Sequence, residues 1–322
     1  MDPVRVTQAR DLERCLAPRL AVEELHRKGR RAHGRGDWLL RHDRALRPLA
    51  AAVLKVSGLY GRGVRNAQRL QVRRLRLELP SLPPAFDGFR ILHLSDLHID
   101  GVPDLDRIIA DHVDRLPVDL CVMTGDYRYE VDGPSDGVYP RMRRVLAAIR
   151  SEHGTLGILG NHDAAEMAPA LEAAEVRMLI NEAVEVRRGG DSIWVAGVDD
   201  PHYYGADDLE AALALVPPGS FRMLLAHTPE LYQEAAAAGI SLYLCGHTHA
   251  GQICLPRLGP VLLNAKCPRA YASGRWRHGA VEGYTSAGAG ASLLPVRYGC
   301  PPEVTVMTIL TSSPPPANSP PP

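Results

Sequence analysis

The stretch FRILHLSDLH, residues 89–98, decides the fold. An apolar run of strand length ends directly in Asp96 and His98, side chains for which strand packing has no use. Four later runs end the same way. LCVMTGD (120–126) closes on Asp126 and LGILGNHD (156–163) on Asn161 and His162, while RMLLAH (222–227) reaches His227 and LYLCGHTH (242–249) reaches His247 and His249. Uninterrupted apolar runs belong to strands covered on both faces, and helical patterns fill several of the intervals. Further strands are expected at 72–79, 192–198, 261–265, 281–285 and 304–310, and helices at 103–115, 138–152, 164–175, 206–215 and 229–238. The class is α/β, with largely parallel central strands between helices and hairpins toward the C-terminus.

In an open α/β sheet, ligands bind outside the carboxyl ends of the strands, so five separate segments are expected to converge. Asp96, His98, Asp126, Asn161, His162, His227, His247 and His249 would then face one another. Burying them unpaired costs on the order of 1–3 kcal/mol per polar group and more for a charge. Divalent cations resolve that conflict. The i, i+2 spacing of Asp96/His98 and His247/His249 lets both members of a pair leave an extended segment on one face. Gly125, Gly160 and Gly246 allow sharp turns and a close backbone approach. His93 in mid-strand, and His26, His33 and His42 near the N-terminus, lack this context and are read as structural or exposed.

Composition sets the frame around that cluster. The chain has 322 residues and is 45% hydrophobic, enough for a substantial core. Its six cysteines are scattered with no CxxC pair, which argues against a structural zinc module and for reduced thiols. The balanced net charge hides an asymmetry, because residues 1–76 hold nineteen Lys/Arg against seven Asp/Glu. A basic, partly amphipathic helical extension (1–70) is therefore expected before a catalytic domain (71–311) and a disordered Pro-rich tail (312–322). Pro48 should start or kink a helix there. Such an extension suits an anionic surface, either a membrane leaflet or nucleic acid, or it packs as a solvated helix on the catalytic domain. No signal peptide or membrane-spanning run is read, so the expected location is the cytoplasm, with peripheral contact at the inner face of the membrane.

The motifs DLH, GD, GNHD, H and GHTH resemble those of the calcineurin-like metallophosphoesterases. GHTHAGQI with LLPVRYGCPPEVTVMTIL (293–310) is similar to a bacterial branch of membrane-associated phosphodiesterases that includes UDP-2,3-diacylglucosamine pyrophosphatases. The resemblance implies a four-layer αββα sandwich of two mixed sheets. It implies two divalent transition-metal ions, Mn, Fe or Zn, since the donors are nitrogen, carboxylate and amide oxygen without thiolate. Asp96, His98, Asp126 and His249 would hold the first ion; Asp126 would bridge to the second, completed by Asn161, His227 and His247. His162 would face the substrate, and metal-bound hydroxide would attack phosphorus in line. Related phosphatases often read GDxxD, but GDYRYE places Tyr129 at the last position. Asp163 or Glu130 could orient His162 instead, or no carboxylate does.

The implied activity is hydrolysis of a phosphodiester or pyrophosphate bond, with a lipid-linked substrate such as UDP-2,3-diacylglucosamine favoured by the basic arm. A nuclease or cyclic-nucleotide phosphodiesterase is the alternative. Against nucleic acid, the arm offers only Trp38 and Tyr60 for base stacking. A catalytically dead scaffold fits less well, because all eight site residues are present. The loops 198–208 and 286–295 are either lining for a substrate groove or plain connections.

Overall fold

The computed structural model describes residues 4–5, 11–28, 37–255 and 257–312, and the side chains of these except for 4–5 and 37–46. The expected tail beyond residue 312, and His33, lie outside the described residues. The first elements are β1 (Val4–Arg5), α1 (Leu12–Arg27), α2 (Asp37–Val56) and α3 (Tyr60–Ala67). The chain continues through β2 (Gln71–Leu79), β3 (Phe89–Leu94), α4 (Leu105–Val113), β4 (Leu120–Met123), α5 (Val138–Ala148) and β5 (Thr155–Gly157). After α6 (Met167–Glu172) and β6 (Val176–Met178) come β7 (Glu182–Arg188), β8 (Asp191–Gly197), α7 (Leu209–Leu213) and β9 (Arg222–Leu225). The last elements are α8 (Tyr232–Ala237), β10 (Leu242–Cys245), β11 (Cys254–Leu255), β12 (Gly259–Pro260), β13 (Gly274–His278), β14 (Val281–Thr285) and β15 (Glu303–Thr311).

Two large mixed sheets result, in the orders β2-β15-β3-β4-β5-β6 and β1-β7-β8-β9-β10-β14-β13. Strands β3 to β6 run parallel in the first, and β8, β9, β10 and β14 run parallel in the second. Period-2 alternation explains the uninterrupted apolar runs. Ile91, Leu120, Val122, Leu242 and Leu244 point into the layer between the sheets. Their neighbours Leu92, Cys121 and Met123 pack outward with Ile109, Met142 and Leu171 from α4, α5 and α6. On the other side, Tyr243 and Cys245 pack with Ala212 and Ala235 from α7 and α8. The order helices, sheet, sheet, helices is the four-layer αββα sandwich.

Three expectations need correction. Residues 261–265 are not a strand: Val261 and Leu262 are exposed, and the backbone serves another purpose described below. The strands β6, β7 and β13 are faint in the sequence because each carries few inward apolar positions, Val184 and Val186 alone in the core for β7. Pro48 does not start α2, which runs from Asp37 through it to Val56. Among the described residues before β2 lie α1, α2, α3 and the short strand β1, which pairs with β7; α1 packs on the body, with Leu16 in the outer core. Among the described residues no helix is long and apolar enough to cross a membrane.

Candidate active site

The five strand ends converge as the sequence suggests. Donor atoms form three overlapping groups, each within 4.8 Å: Asp96/His98/His249, His98/Asp126/His162 and Asp126/His227/His247. Asn161 joins the third, its Oδ1 lying 2.9 Å from His227 Nε2. Around the shared Asp126, Oδ2 is 3.5 Å from His98 Nε2, 3.3 Å from His227 Nε2 and 4.0 Å from His162 Nε2. Asp96 Oδ1 is 3.4 Å from His249 Nε2. All eight residues are buried.

The local backbone differs from the expected extended pairs. β3 stops at Leu94 and β10 at Cys245, and Asp96, His98, Asp126, His247 and His249 all adopt left-handed conformations, with φ of 49°, 37°, 58°, 69° and 50°. Each such non-glycine residue costs about 1–2 kcal/mol, and strain of this kind collects at functional sites. Interloop hydrogen bonds offset it: Asp96 N donates to Gly125 O (3.0 Å), His98 N to Asp126 O (2.9 Å), and His247 N to both Asp96 carboxylate oxygens (3.0 Å). Glycine is required where the loops touch. A Cβ on Gly160 would sit 2.5 Å from Asp126 N, and one on Gly246 would collide with Ser95 and the Asp96 carboxylate.

Four of the five imidazoles have their outer nitrogen on a backbone carbonyl. His98 Nδ1 faces Arg128 O (2.7 Å), His162 Nδ1 Tyr129 O (2.7 Å), His227 Nδ1 Thr124 O (2.7 Å) and His247 Nε2 Asn264 O (2.6 Å). A carbonyl only accepts, so each ring carries a proton on its outer nitrogen and turns the other nitrogen inward, the orientation of metal-ligating histidines. This also explains the irregular course of 261–265, which delivers Asn264 O to His247. His249 differs, its Nδ1 lying 3.2 Å from Nη2 of the buried Arg297.

Neither sequence-suggested carboxylate orients His162. Glu130 pairs with Arg47 at 2.8 Å. Asp163 instead accepts three backbone N–H groups, from Asp126, Gly160 and Tyr127, all at 2.8 Å. Position 129, where GDxxD would place an acid, contributes its main-chain carbonyl. A backbone oxygen is invisible to side-chain pattern reading.

The charges are crowded. Burial, reinforced by Asp126, pushes the Asp96 carboxyl up to about 6. Burial opposes charge on both Asp126 and His227, yet their mutual attraction holds Asp126 well below the usual range and raises His227 to about 10. Burial lowers His98 to about 3 and drives His247 and His249 well down. Bare imidazole nitrogens and two carboxylates around one small space are the donor set that divalent cations fit.

Other participants lie outside the strand-end pattern. From His93, Nε2 meets Thr124 Oγ1 (2.9 Å), which donates to Ser95 Oγ (2.7 Å), which donates to Asp96 Oδ2 (2.6 Å). The His202 ring lies against that of His247, centroids 4.2 Å apart and tilted by 50°, and bonds Glu230 through Nδ1 (2.9 Å). Arg19, from the basic extension, is wholly buried beside the GNHD turn. Loop 286–295 lies under the DLH turn, with Ala289 N on Ser95 O and Gly290 N on Asp96 O.

Residues 89–251 match the family model for the calcineurin-like phosphoesterases. The uncharacterized metallophosphoesterase YkuE of Bacillus subtilis (strain 168) is 30% identical over 82% of this chain and 94% of its own length. The phosphodiesterase YaeI of Escherichia coli (strain K12) is 29% identical over 69% of this chain and 82% of its own. A transmembrane protein with metallophosphoesterase domain from Bos taurus is 33% identical over 84% of this chain, which spans 64% of that relative. With this site on this sandwich, the chain belongs to the calcineurin-like phosphoesterase family and is a phosphoester hydrolase.

Proposed function

We propose that the cluster holds two divalent transition-metal ions and hydrolyses a phosphodiester or pyrophosphate bond of a lipid-linked molecule at a membrane surface. The observation that carries this reading is the position of Asp126 between two donor groups, His98 on one side and His227/His247 on the other. Asp96, His98, Asp126 and His249 would hold one ion, and Asp126, Asn161, His227 and His247 the second. Mn, Fe or Zn suit these donors. The pair would supply Lewis acidity for the phosphoryl oxygens and lower the pKa of a bound water toward about 7.

The chain's own residues do the rest. His162 Nε2 lies 4.0 Å from Asp126 Oδ2, farther than the His98 and His227 nitrogens, and keeps a slightly exposed side chain, which suits a substrate-facing role better than ligation. With Nδ1 held on Tyr129 O, its Nε2 points inward and, when protonated, donates to a phosphoryl or leaving oxygen. His162→Gln should therefore lower kcat while leaving metal stoichiometry unchanged.

A cavity of about 420 Å³ adjoins this point, lined by Arg47, Ala51, Tyr60, Gly101, Tyr129 and Leu294 among others. Its apolar and aromatic walls, which also carry Arg47 and Asp100, suit the non-reacting part of an amphiphilic substrate. Leu294 and Pro295 come from the 286–295 loop, whereas 198–208 contributes nothing to this lining. On α2, Leu49, Val53 and Val56 form an exposed apolar stripe at i, i+4, i+7, 60–90% accessible, near Lys55 and the arginines of α3. That pairing of apolar and basic surface is what an interfacial helix needs.

A substrate panel tests the reading: UMP released from UDP-2,3-diacylglucosamine, against hydrolysis of bis-p-nitrophenyl phosphate and of single-stranded DNA. Preference for DNA would overturn it in favour of the nuclease alternative. Membrane contact is tested by sedimenting the L49Q/V53Q/V56Q variant with anionic vesicles, which should fail while soluble-diester turnover persists.

A further inference from the structure

The basic extension contributes more than surface charge. On α1, Arg19, Glu23 and His26 fall at i, i+4, i+7 and share one face, continuing the stripe of Leu12 and Leu16 that enters the core. All three touch the two loops beside the metal donors. Arg19 Nη1 donates to Gly160 O (3.1 Å) and Asp163 O (2.6 Å), the two carbonyls that bracket Asn161 and His162. Its Nε donates to Asp199 Oδ1 (2.9 Å), and the guanidinium lies over the Tyr204 ring at 3.8 Å. Glu23 Oε1 accepts Ala165 N (2.8 Å), and His26 Nδ1 meets Tyr203 OH (3.0 Å).

We infer that α1 belongs to the catalytic unit, with Arg19 as the positioning residue that fixes the turn carrying Asn161 and His162.

The turn has two hydrogen-bonding edges. Asp163 fastens the amide edge to the Asp126 loop, and Arg19 fastens the carbonyl edge to Asp199. A buried ion pair is weak evidence of stabilisation in itself, since apolar replacements of similar volume are often neutral. An apolar side chain would not gather two carbonyls from one turn; a planar fork of five donors does. Asp199 begins the turn in which Asp200 accepts the amides of His202, Tyr203 and Tyr204, so the same guanidinium registers the His202 loop against the GNHD loop. The extension therefore reaches the Asn161 ligand through one side chain, and in that part the inference rests on the two-ion reading above.

The full-length chain with Arg19→Ala is compared with wild type by Mn²⁺ equilibrium dialysis and by steady-state hydrolysis of bis-p-nitrophenyl phosphate. Loss of the clamp should lower kcat by about tenfold to a hundredfold, the scale of a displacement of ~1 Å, with KM within about twofold. One Mn²⁺ should bind at least about tenfold more weakly and the other unchanged. Ethylguanidinium should restore part of kcat and ethylammonium should not, because only the former reproduces the fork. Unchanged kcat and unchanged Mn²⁺ affinities in the folded variant would overturn the inference, whatever happens to thermal stability. Arg19→Lys, which keeps the charge and loses the fork, is held to the same two readouts if Arg19→Ala does not fold. Should wild type bind fewer than two Mn²⁺, the two-ion reading fails, and kcat with its guanidinium rescue still decides the role of Arg19.

Discussion

Replacing Asp163 by asparagine changes one charge and almost no volume, and it separates an orienter of His162 from a clamp on the backbone. Oδ2 accepts Asp126 N and Gly160 N, and Oδ1 accepts Tyr127 N, each at 2.8 Å. Asparagine keeps one acceptor. With its oxygen left to the two-donor side, its NH₂ faces the Tyr127 amide, and one charge-assisted bond worth about 1.5–3 kcal/mol is lost. Against that loss, burial and the nearby Asp126 charge raise the Asp163 pKa, so neutralising the group recovers part of its desolvation cost. The balance is a loss of about 2 kcal/mol, which corresponds to a fall in Tm of roughly 4 °C for a chain of this size. The three anchored amides belong to the loops of Asp126, Asn161 and His162, so kcat on bis-p-nitrophenyl phosphate should drop at least about tenfold. The shape of the pH–rate profile should stay unchanged, because Asp163 does not touch the imidazole. A turnover within twofold of wild type, or a displaced limb in the profile, would refute the clamp.

Two further outcomes follow from the same geometry. Gly160→Ala places a methyl against Asp126 N and Oδ1, so it should cost about 1–3 kcal/mol of stability by overpacking and on the order of a hundredfold in kcat; a variant of normal activity would show that the loops have room. Burial lowers His93 to about 3, so the folded metal-free chain binds fewer protons than the unfolded one between there and about 6.5. That stability is complete above about pH 6.5 and is lost as pH falls; His98 acts alike, and Asp96, raised to about 6, opposes it more weakly. The urea midpoint of the metal-free protein should therefore fall between about pH 6.5 and about pH 5, below the range in which the raised His227 titrates, and a constant or rising midpoint there would contradict the sign.

The cluster was legible because its members are side chains that end apolar runs, and a run such as LYLCGHTH displays both facts in order. The parallel central strands between helices followed from the same runs, whose alternate residues fill two different layers, while the four-layer sandwich was implied by the family resemblance. Much of what supports the site is silent in a pattern of side chains. Tyr129 acts through its carbonyl and Asn264 does likewise, so neither residue type betrays its role. Arg19 looks like one more charge in a basic arm, since nothing local distinguishes an arginine that will be buried against Asp199 from one that will be solvated. The β7–β8 hairpin does carry a sequence signal: Gly189 and Gly190 both adopt left-handed φ, and RGGD is a two-residue turn sequence.

The most direct test of the central claim is anomalous diffraction at the Mn edge from crystals of the full chain grown with Mn²⁺. Two peaks are expected roughly 3.5–4 Å apart, the spacing of two-metal hydrolytic sites. One should lie among Asp96, His98, Asp126 and His249, the other among Asp126, Asn161, His227 and His247. A single peak, or peaks away from Asp126, would contradict a dinuclear centre built on that carboxylate.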